Sequence, residues 1–281
     1  MTVARRGFLA TGAAFALLPR AFADAVPPVM TLSGKGEQGG LMVGTVTVKG
    51  AEVTVDGKKV SVSPEGLFAF GIAYDRTDDI ACAATLPDGR SESLKLTPVV
   101  RQYEEQAISG LPQKYVEPPP EVAARIARER AQVWALRKRD TEGTGFSEPF
   151  DWPFAGIVSG VYGSRRILNG KPMSPHMGVD IAAPEGTPIH APASGIVSLA
   201  EDFFYEGGLT FIDHGHGVQS CYLHQSERKV KVGDVVARGD VIGLVGATGR
   251  ATGPHTHWGL SWFQLKLDPS RVTRTPVPPP V

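Results

Sequence analysis

The stretch that decides the fold is Gly-Pro-His-Thr-His-Trp-Gly-Leu at residues 253–260. A glycine–proline turn leads into a short run of the kind that is typical of a β-strand. On a strand, residues i and i+2 point to the same face, so the Cα atoms of His255 and His257 would lie about 6.6 Å apart on one face. One imidazole of such a pair can bind a metal ion while the other lies at the open side of that ion.

Working outward from this stretch, all seven histidines lie between residues 176 and 257. The sequence His-Met-Gly-Val-Asp at 176–180 places a histidine and a carboxylate four residues apart. A flat strand would separate their Cα atoms by about 13 Å, so His176 and Asp180 reach one ion only if the chain bends between them. Gly178 is the residue that permits such a bend.

A third element is Tyr-Leu-His at 222–224, where His224 ends a strand-like apolar run. Together the three elements offer two histidines and one carboxylate as ligands, with two further imidazoles. Three protein ligands plus water are the arrangement of catalytic zinc sites, whereas structural sites have four protein ligands. The sequence contains no closely spaced cysteine pair. These elements therefore predict a catalytic zinc site rather than a structural one.

Residues 151 to about 271 resemble the lysostaphin-type (LytM-type) zinc endopeptidases, which cut peptide cross-links in bacterial cell walls. The resemblance rests on Ser-Gly-Val-Tyr-Gly-Ser-Arg at 159–165, H-x-x-x-D at 176–180, Ala-Pro-Ala-Ser-Gly-Ile-Val at 191–197, His224, and residues 253–259. The sequence departs from the family at the insertion-like stretch 167–172 and at Gln225-Ser226, where Leu-Ser is commoner. Both departures concern the substrate groove and leave the metal-binding pattern intact.

The resemblance implies one Zn²⁺ per chain, held by His176, Asp180 and His257, with His224 and His255 as the two active-site histidines. Zinc lowers the pKa of a bound water from about 15.7 toward 7. Of the two active-site histidines, one would orient the water and take its proton while the other steadies the developing oxyanion. The sequence leaves both assignments open.

Two loops, 162–175 and 201–208, are expected to wall the substrate groove. Tyr162 and Arg165 belong to the first loop and are candidate groove residues, with a solvated turn charge as the equal alternative for Arg165. The pair His214 and His216 is flanked by glycines, which predicts a turn between two strands.

His190, in the stretch Ile-His-Ala-Pro at 189–192, is interpreted as a structural histidine.

Two non-enzymatic interpretations compete with this one. Residues 232–243 resemble the hairpins of biotinyl and lipoyl carrier domains, but the acceptor-lysine motif of those carriers is missing from the sequence. The second alternative is a catalytically silent regulator or scaffold of the same fold at the cell wall. Such proteins typically lack metal ligands, whereas all five key residues are present. We therefore expect a zinc metalloendopeptidase that hydrolyses cross-link or stem peptides of peptidoglycan.

The N-terminus has the layout of a secretory signal. Arg5 and Arg6 precede an apolar run at 7–18, which at about 12 residues is shorter than the roughly 20 that span a bilayer. The paired arginines resemble a twin-arginine signal, and a small-x-small site ends at Ala23. Residues 1–23 thus predict an exported protein, periplasmic or in the cell envelope, that is cleaved after Ala23 and has no transmembrane segment when mature. An uncleaved anchor is the alternative.

Composition favours short strands over long helices. Glycine (33) and proline (23) make up about 20% of the 281 residues, against roughly 12% in an average globular chain. Both residues break helices. The 29 basic and 29 acidic residues balance, which gives no electrostatic reason to propose nucleic acid as a partner.

The predicted fold is mainly β and is divided into segments. These are a small β-sandwich-like domain at 24–99, a linker at 100–150 with a helix at about 121–139, an antiparallel β-sheet-core peptidase domain at 151–271 and a Pro-rich tail at 272–281. The tail is expected to be extended and disordered. Asp56-Gly57 signals a hairpin turn within the first domain.

The G-x-G-x-x-G match at 34–39 lacks the preceding strand and following helix of a dinucleotide site. We interpret it as a flexible lead-in.

The linker helix is expected to pack on a neighbouring domain through an apolar stripe. Its members are Val122, Ile126, Val133 and Trp134.

The two cysteines, Cys82 and Cys221, fall in strand-like runs of different predicted domains. We expect two buried free thiols. A disulfide is the alternative that export would allow.

Overall fold

The computed structural model describes residues 28–108, 114, 118–168, 171–172 and 174–278. Within these residues the protein is mainly β, as the sequence predicts. The predicted signal at 1–23 lies outside the described residues, as do parts of the stretch 167–172 and of the tail. Among the described residues, no helix combines the length and apolar character needed to cross a bilayer.

Seven strands make up the N-terminal β region: β1 (Met30–Ser33), β2 (Leu41–Val46), β3 (Glu52–Val55), β4 (Lys58–Val60), β5 (Leu67–Gly71), β6 (Ile80–Thr85) and β7 (Ser91–Leu96). They form two antiparallel sheets, ordered β1-β2-β5 and β4-β3-β6-β7. Phe68, Phe70 and Ile80 are buried in the core of this region. The β3–β4 turn is Asp56-Gly57, with φ of 49° and 74°. These positive φ values at both central residues are those of a type I′ hairpin, which confirms the predicted turn.

In the described part of the remaining chain, fourteen further strands follow: β8 (Glu105–Ile108), β9 (Ile157–Gly160), β10 (Arg165–Leu168), β11 (Lys171–Pro172), β12 (Val179–Ala182), β13 (Pro188–His190), β14 (Gly195–Phe203), β15 (Gly207–Gly215), β16 (Val218–Gln225), β17 (Glu227–Arg228), β18 (Val235–Val236), β19 (Val241–Leu244), β20 (His255–Trp262) and β21 (Leu265–Leu267). Two small sheets are ordered β11-β10-β8 and β13-β19-β17. β8 and β10 pair in parallel, so a linker strand joins the peptidase part of the chain.

The largest sheet is antiparallel and is ordered β18-β14-β15-β16-β20-β12-β9, with β21 added to β20. Its two faces have different roles because successive side chains of a strand alternate between faces. Trp258, Leu260 and Tyr222 point into the main hydrophobic core. His255 and His257 alternate with Thr256 and Trp258 and therefore lie on the opposite face. We call this opposite face the catalytic face.

The linker helix begins with a short 3-10 turn, Pro120–Val122, and continues as α1 (Ala123–Leu136). The helix thus exists as predicted, although it ends at Leu136 rather than 139. Its buried residues are Ile126 and Leu136. The predicted stripe is wrong at Trp134, which is 55% exposed. Leu136 and Val133 instead pack on Phe203, Leu209, Phe211 and Cys221 of the largest sheet.

Both cysteines are free and buried, which confirms the predicted thiols.

The end segments of the peptidase region are more ordered than the sequence predicts. Phe146 and Phe150, within the predicted linker, are buried in the main core. In the predicted free tail, Thr273 bridges Phe150 and the carbonyl of Thr275 accepts a hydrogen bond from Trp152 Nε1 at 2.9 Å. Residues 273–275 therefore lie on the peptidase region because these backbone groups find partners there.

The N-terminal β region is packed against the peptidase region. Leu41 and Ala69 are part of the main core. Arg101 Nη1 lies 2.9 Å from Asp268 Oδ2, whose side chain is 2% exposed. This contact joins the segment that follows β7 to the segment that follows β21.

Candidate metal centre and active site

Three polar atoms converge at one point on the catalytic face. Asp180 on β12 and His257 on β20 are directly paired in the sheet, and His176 lies just before β12. His176 Nε2 is 3.0 Å from Asp180 Oδ1, and His257 Nδ1 is 2.8 Å from the same oxygen. The two ring nitrogens are 2.8 Å apart. These three residues form a group with the spacing of a metal site.

The tautomer of His176 shows why a cation fits this group. His176 Nδ1 lies 3.0 Å from the carbonyl oxygen of Val161, which can only accept, so Nδ1 carries the hydrogen. The neutral ring therefore presents the lone pair of Nε2 to the carboxylate of Asp180 and to His257. Electron pairs that face one another at this distance repel unless a proton or a cation lies between them. A backbone partner on the outer nitrogen is also the usual support of a metal-binding histidine.

The Asp180 carboxylate is kept ionised by its neighbours. Its side chain is buried, and burial alone raises the pKa of a carboxyl group. The close contacts of the carboxylate with the rings of His176 and His257 outweigh this effect, so the pKa of Asp180 lies well below its ordinary value. An ionised carboxylate and two imidazoles form a donor set that suits zinc.

Gly178 is required for space rather than for a bend of unusual dihedral angle. Its φ is not among the positive values. A Cβ atom at this position would lie 2.4 Å from His257 Nε2 and 2.7 Å from the carbonyl oxygen of Trp258. His176 reaches Asp180 because it precedes β12 and is not held on the strand. The predicted bend therefore exists, but Gly178 contributes by leaving room for the His257 ring.

The other two histidines form a second pair on the same face. The ring centroids of His224 and His255 are 4.7 Å apart. His224 Nδ1 lies 2.8 Å from the carbonyl oxygen of Thr248, and His255 Nδ1 lies 2.8 Å from that of Gly253. Each Nδ1 therefore donates, and each neutral ring presents Nε2 as a proton acceptor.

His224 is held in an unusual environment. Its φ of 67° lies in the left-handed region, which non-glycine residues seldom adopt and which clusters at functional sites. Burial, together with the charges of His255 and His257, lowers the pKa of His224 to about 3. The ring is therefore neutral at neutral pH.

The part of the chain that carries this site is similar to known proteins. The sequence profile of peptidase family M23 matches residues 174–269, which include all five of these residues. A crystal structure of an M23-type protein from Pseudomonas aeruginosa has 33% sequence identity, covers 85% of this chain and 95% of that chain, and gives a TM-score of 0.65. The chain belongs to peptidase family M23.

Curated M23 relatives match a shorter part of the chain. The peptidoglycan DD-endopeptidase ShyA of Vibrio cholerae is 44% identical over 90 residues, which are 32% of this chain and 21% of ShyA. The DD-carboxypeptidase/endopeptidase Mpg of Neisseria meningitidis is 43% identical over 83 residues, or 30% of this chain and 19% of Mpg. The match thus spans less than a third of the length of these relatives.

The structure of this M23 chain corrects the predicted role of Tyr162. This side chain is 2% exposed, and its hydroxyl donates to the carbonyl oxygen of Lys266 at 2.9 Å. Tyr162 also lies edge-on to Tyr74 and Tyr103 of preceding segments. It therefore stabilises the junction and does not line the groove, whereas Arg165 is exposed on β10.

The remaining histidines of the M23 domain have structural contacts. His190 Nδ1 donates to the carbonyl oxygen of Gly239 at 2.8 Å, in agreement with the structural interpretation. The predicted turn is correct for His216, with φ of 49°. It is wrong for His214, which lies in β15 and is hydrogen-bonded to the carbonyl oxygen of Ser194 and to Ser220. The His214 ring is buried, and both of its nitrogens have hydrogen-bond partners there.

Helix α1 was predicted from the sequence, but its position beside the M23 site was not. Residues that are directly paired across neighbouring antiparallel strands share a face. Leu223 pairs with His257, and Cys221 pairs with Gly259. The helix packs on Cys221 and Leu223 and therefore covers the catalytic face beside the metal group. The apolar side of the helix was visible in the sequence, but the sequence did not indicate which surface it covers.

Proposed function

We propose that this chain is a zinc metalloendopeptidase that hydrolyses peptide bonds in the cross-links or stem peptides of bacterial peptidoglycan. The observation that carries the proposal is the convergence of His176, Asp180 and His257 beside a pair of histidines with Nε2 acceptors. The names of the curated relatives support peptidoglycan as the substrate.

In this proposal, His176 Nε2, Asp180 Oδ1 and His257 Nδ1 hold one zinc ion. Zinc bound there supplies a Lewis acid that polarises the peptide carbonyl and makes water nucleophilic at neutral pH. Val161 holds the His176 ring in the tautomer that leaves Nε2 unprotonated. Asp180 contributes the negative charge that favours a cation at this position.

The second histidine pair moves the proton. With Nδ1 donating to a backbone carbonyl, His224 and His255 each offer Nε2 to a proton released by water. A ring that has taken the proton becomes a donor, which suits it to return the proton to the leaving amine. Because the rings are 4.7 Å apart, they act on the same small region.

We also propose that the protein is exported. The twin-arginine-like layout of residues 1–23, with cleavage after Ala23, supports this proposal. Fractionation of cells that produce the full chain and a variant with both Arg5 and Arg6 changed to Lys tests it. Export of the wild type and cytoplasmic retention of the variant are expected, and cytoplasmic wild-type protein would contradict it.

Digestion of purified peptidoglycan, with mass spectrometry of the products, tests the enzymatic proposal. Protein purified with zinc should release peptide fragments, a chelator should stop the release, and added zinc should restore it. A His255→Ala variant controls for a contaminating hydrolase. If the same fragments appear with wild type, chelated protein and variant, the enzymatic proposal fails and the silent regulator is favoured.

A further inference from the structure

A cavity of about 410 Å³ lies between helix α1 and the catalytic face of the largest sheet. One end of it is lined by His257 and Met177, next to the proposed zinc ligands. Its floor is apolar and includes Phe211, Cys221 and Leu223. A volume of this size is typical of ligand sites, which are mostly apolar and carry a few placed polar groups.

The cavity continues the surface on which a substrate would lie. Leu223, on its floor, is paired with His257 across β16 and β20 and therefore shares a face with that ring. A peptide that is bound across the metal group in an extended form can extend from His257 to the floor under the helix. The cavity therefore lies beside the proposed metal site, on the same face of the largest sheet.

Three cationic residues line this cavity, namely Arg130, Arg137 and Lys266. Arg137 follows the last turn of α1, and its Cζ lies 5.4 Å from the centroid of Phe211. Among the described residues, Arg137 Nε is buried without a hydrogen-bond partner, and such a group calls for an explanation. Lys266 lies on β21 opposite Ser261. Partial burial and the charge of Arg137 lower the pKa of Lys266.

Two acidic residues, Glu129 and Glu206, also line the cavity and are outnumbered by its three cations. Glu129 is bound by Arg125 Nε at 2.6 Å and by the backbone N–H of Phe204 at 3.0 Å. Burial and the charge of Glu129 raise the pKa of Glu206, while the charges of Arg250 and Lys266 oppose this effect. The charges of Arg137 and Lys266 repel each other over the apolar floor, and an anion bound between them would interact favourably with both.

We propose that this cavity is a substrate subsite that binds a carboxylate group of the peptide through Arg137 and Lys266. The guanidinium of Arg137 offers parallel N–H groups that match the two oxygens of a carboxylate, and the ammonium of Lys266 adds a point charge. This inference rests on the proposed peptidase function. It adds that the enzyme prefers peptides with a free carboxylate on the α1 side of the cleaved bond.

Binding measurements separate this subsite from the chemistry. The full-length His255→Ala variant is titrated with soluble stem-peptide fragments of peptidoglycan and with the same fragments after amidation of their carboxyl groups. We expect the free fragments to bind at least about tenfold more tightly, the scale of a charged hydrogen bond. Adding Arg137→Gln or Lys266→Gln should remove this preference, whereas Arg137→Lys should retain part of it.

Lys138→Gln is the matched control, because Lys138 follows Arg137 but is not among the residues that line the cavity. It should leave the preference intact. Thermal unfolding of each variant identifies any folding defect, and the partly exposed Lys266 carries the test if Arg137→Gln does not fold.

Equal binding of free and amidated fragments, or an unchanged preference in Lys266→Gln, would overturn the subsite alone. Absence of binding by both forms would overturn the proposed substrate and the subsite together.

Discussion

The carbonyl oxygen of Val161 lies 3.0 Å from Nδ1 of His176 and fixes the tautomer of that ring. His176 Nε2 is thereby left as a lone-pair donor toward Asp180 and His257. The same device occurs at the second pair, where the carbonyls of Thr248 and Gly253 hold the Nδ1 hydrogens of His224 and His255. Backbone carbonyls thus orient three of the imidazoles for metal binding or proton transfer, whereas His257 Nδ1 contacts the Asp180 carboxylate instead.

Mutations of the proton-transfer pair, His224 and His255, should have a different effect from mutations of the metal-binding histidines. His224→Ala and His255→Ala should each retain zinc, because neither residue contributes to the group of three donor atoms. Each should lower kcat by at least about 100-fold, the usual contribution of a positioned acid or base. Zinc content and peptide hydrolysis measured on the same preparations check this. His190→Ala serves as the control and should keep both, and zinc loss in His224→Ala would contradict the assignment.

Gly178→Ala should weaken metal binding although it touches no proposed ligand atom directly. The added methyl carbon would lie 2.4 Å from His257 Nε2, so the ring has to move. Displacing a ligand's support typically costs about 10- to 100-fold in metal affinity. Gly143→Ala is the matched control, since its nearest new contact is 3.4 Å. Competition with a chromogenic chelator measures both, and equal affinities would refute the role given to Gly178.

Acid should destabilise the protein through histidines that are buried in the neutral form. Burial lowers the pKa of His214, and that of His224 falls to about 3. Below the ordinary pKa of 6.5 the unfolded chain takes up these protons, whereas each folded ring takes up its proton only at its own, lower pKa. Unfolding therefore becomes easier as pH falls from 6.5, by about 1.4 kcal/mol per pH unit for each such ring.

Urea unfolding of chelated protein at several pH values measures this dependence. A His214→Gln variant lacks one of the two protons and should show a shallower loss of stability below pH 6.5. Identical pH slopes for the two proteins would show that His214 does not resist protonation.

Tyr162→Phe should affect stability and leave substrate binding unchanged. The substitution removes the hydrogen bond to the carbonyl oxygen of Lys266, at a cost of about 1 kcal/mol in the free energy of unfolding. Denaturant unfolding and steady-state kinetics on peptidoglycan fragments check the two parts. A raised KM with unchanged stability would return Tyr162 to the groove.

The sequence predicted the site well where it depended on strand geometry. The i, i+2 spacing of His255 and His257 fixes their common face, because side chains alternate along a strand. The sequence could not predict the pairing of Asp180 with His257, which depends on the register of two strands distant in the chain. Carbonyl partners such as Val161 also leave no signal, because every residue carries the same backbone group.

Other predictions were wrong where tertiary packing determines which side chains are buried. Trp134 was assigned to the apolar side of the helix, but it is exposed, and Leu136 is buried together with the correctly predicted Ile126. Tyr162 resembles a groove residue in sequence, but an aromatic side chain between glycine-rich segments can equally be enclosed by them. The domain boundaries, the signal and the roles of the five site residues stay predictions.

The most direct test of the central claim is a crystal structure of the zinc-loaded protein with anomalous data collected on both sides of the zinc absorption edge. We expect one strong peak per chain, bonded to His176 Nε2, Asp180 Oδ1 and His257 Nδ1, and its loss in His257→Ala. Zinc bound elsewhere, or a peak that persists unchanged in that variant, would contradict the assignment of these residues as the metal centre.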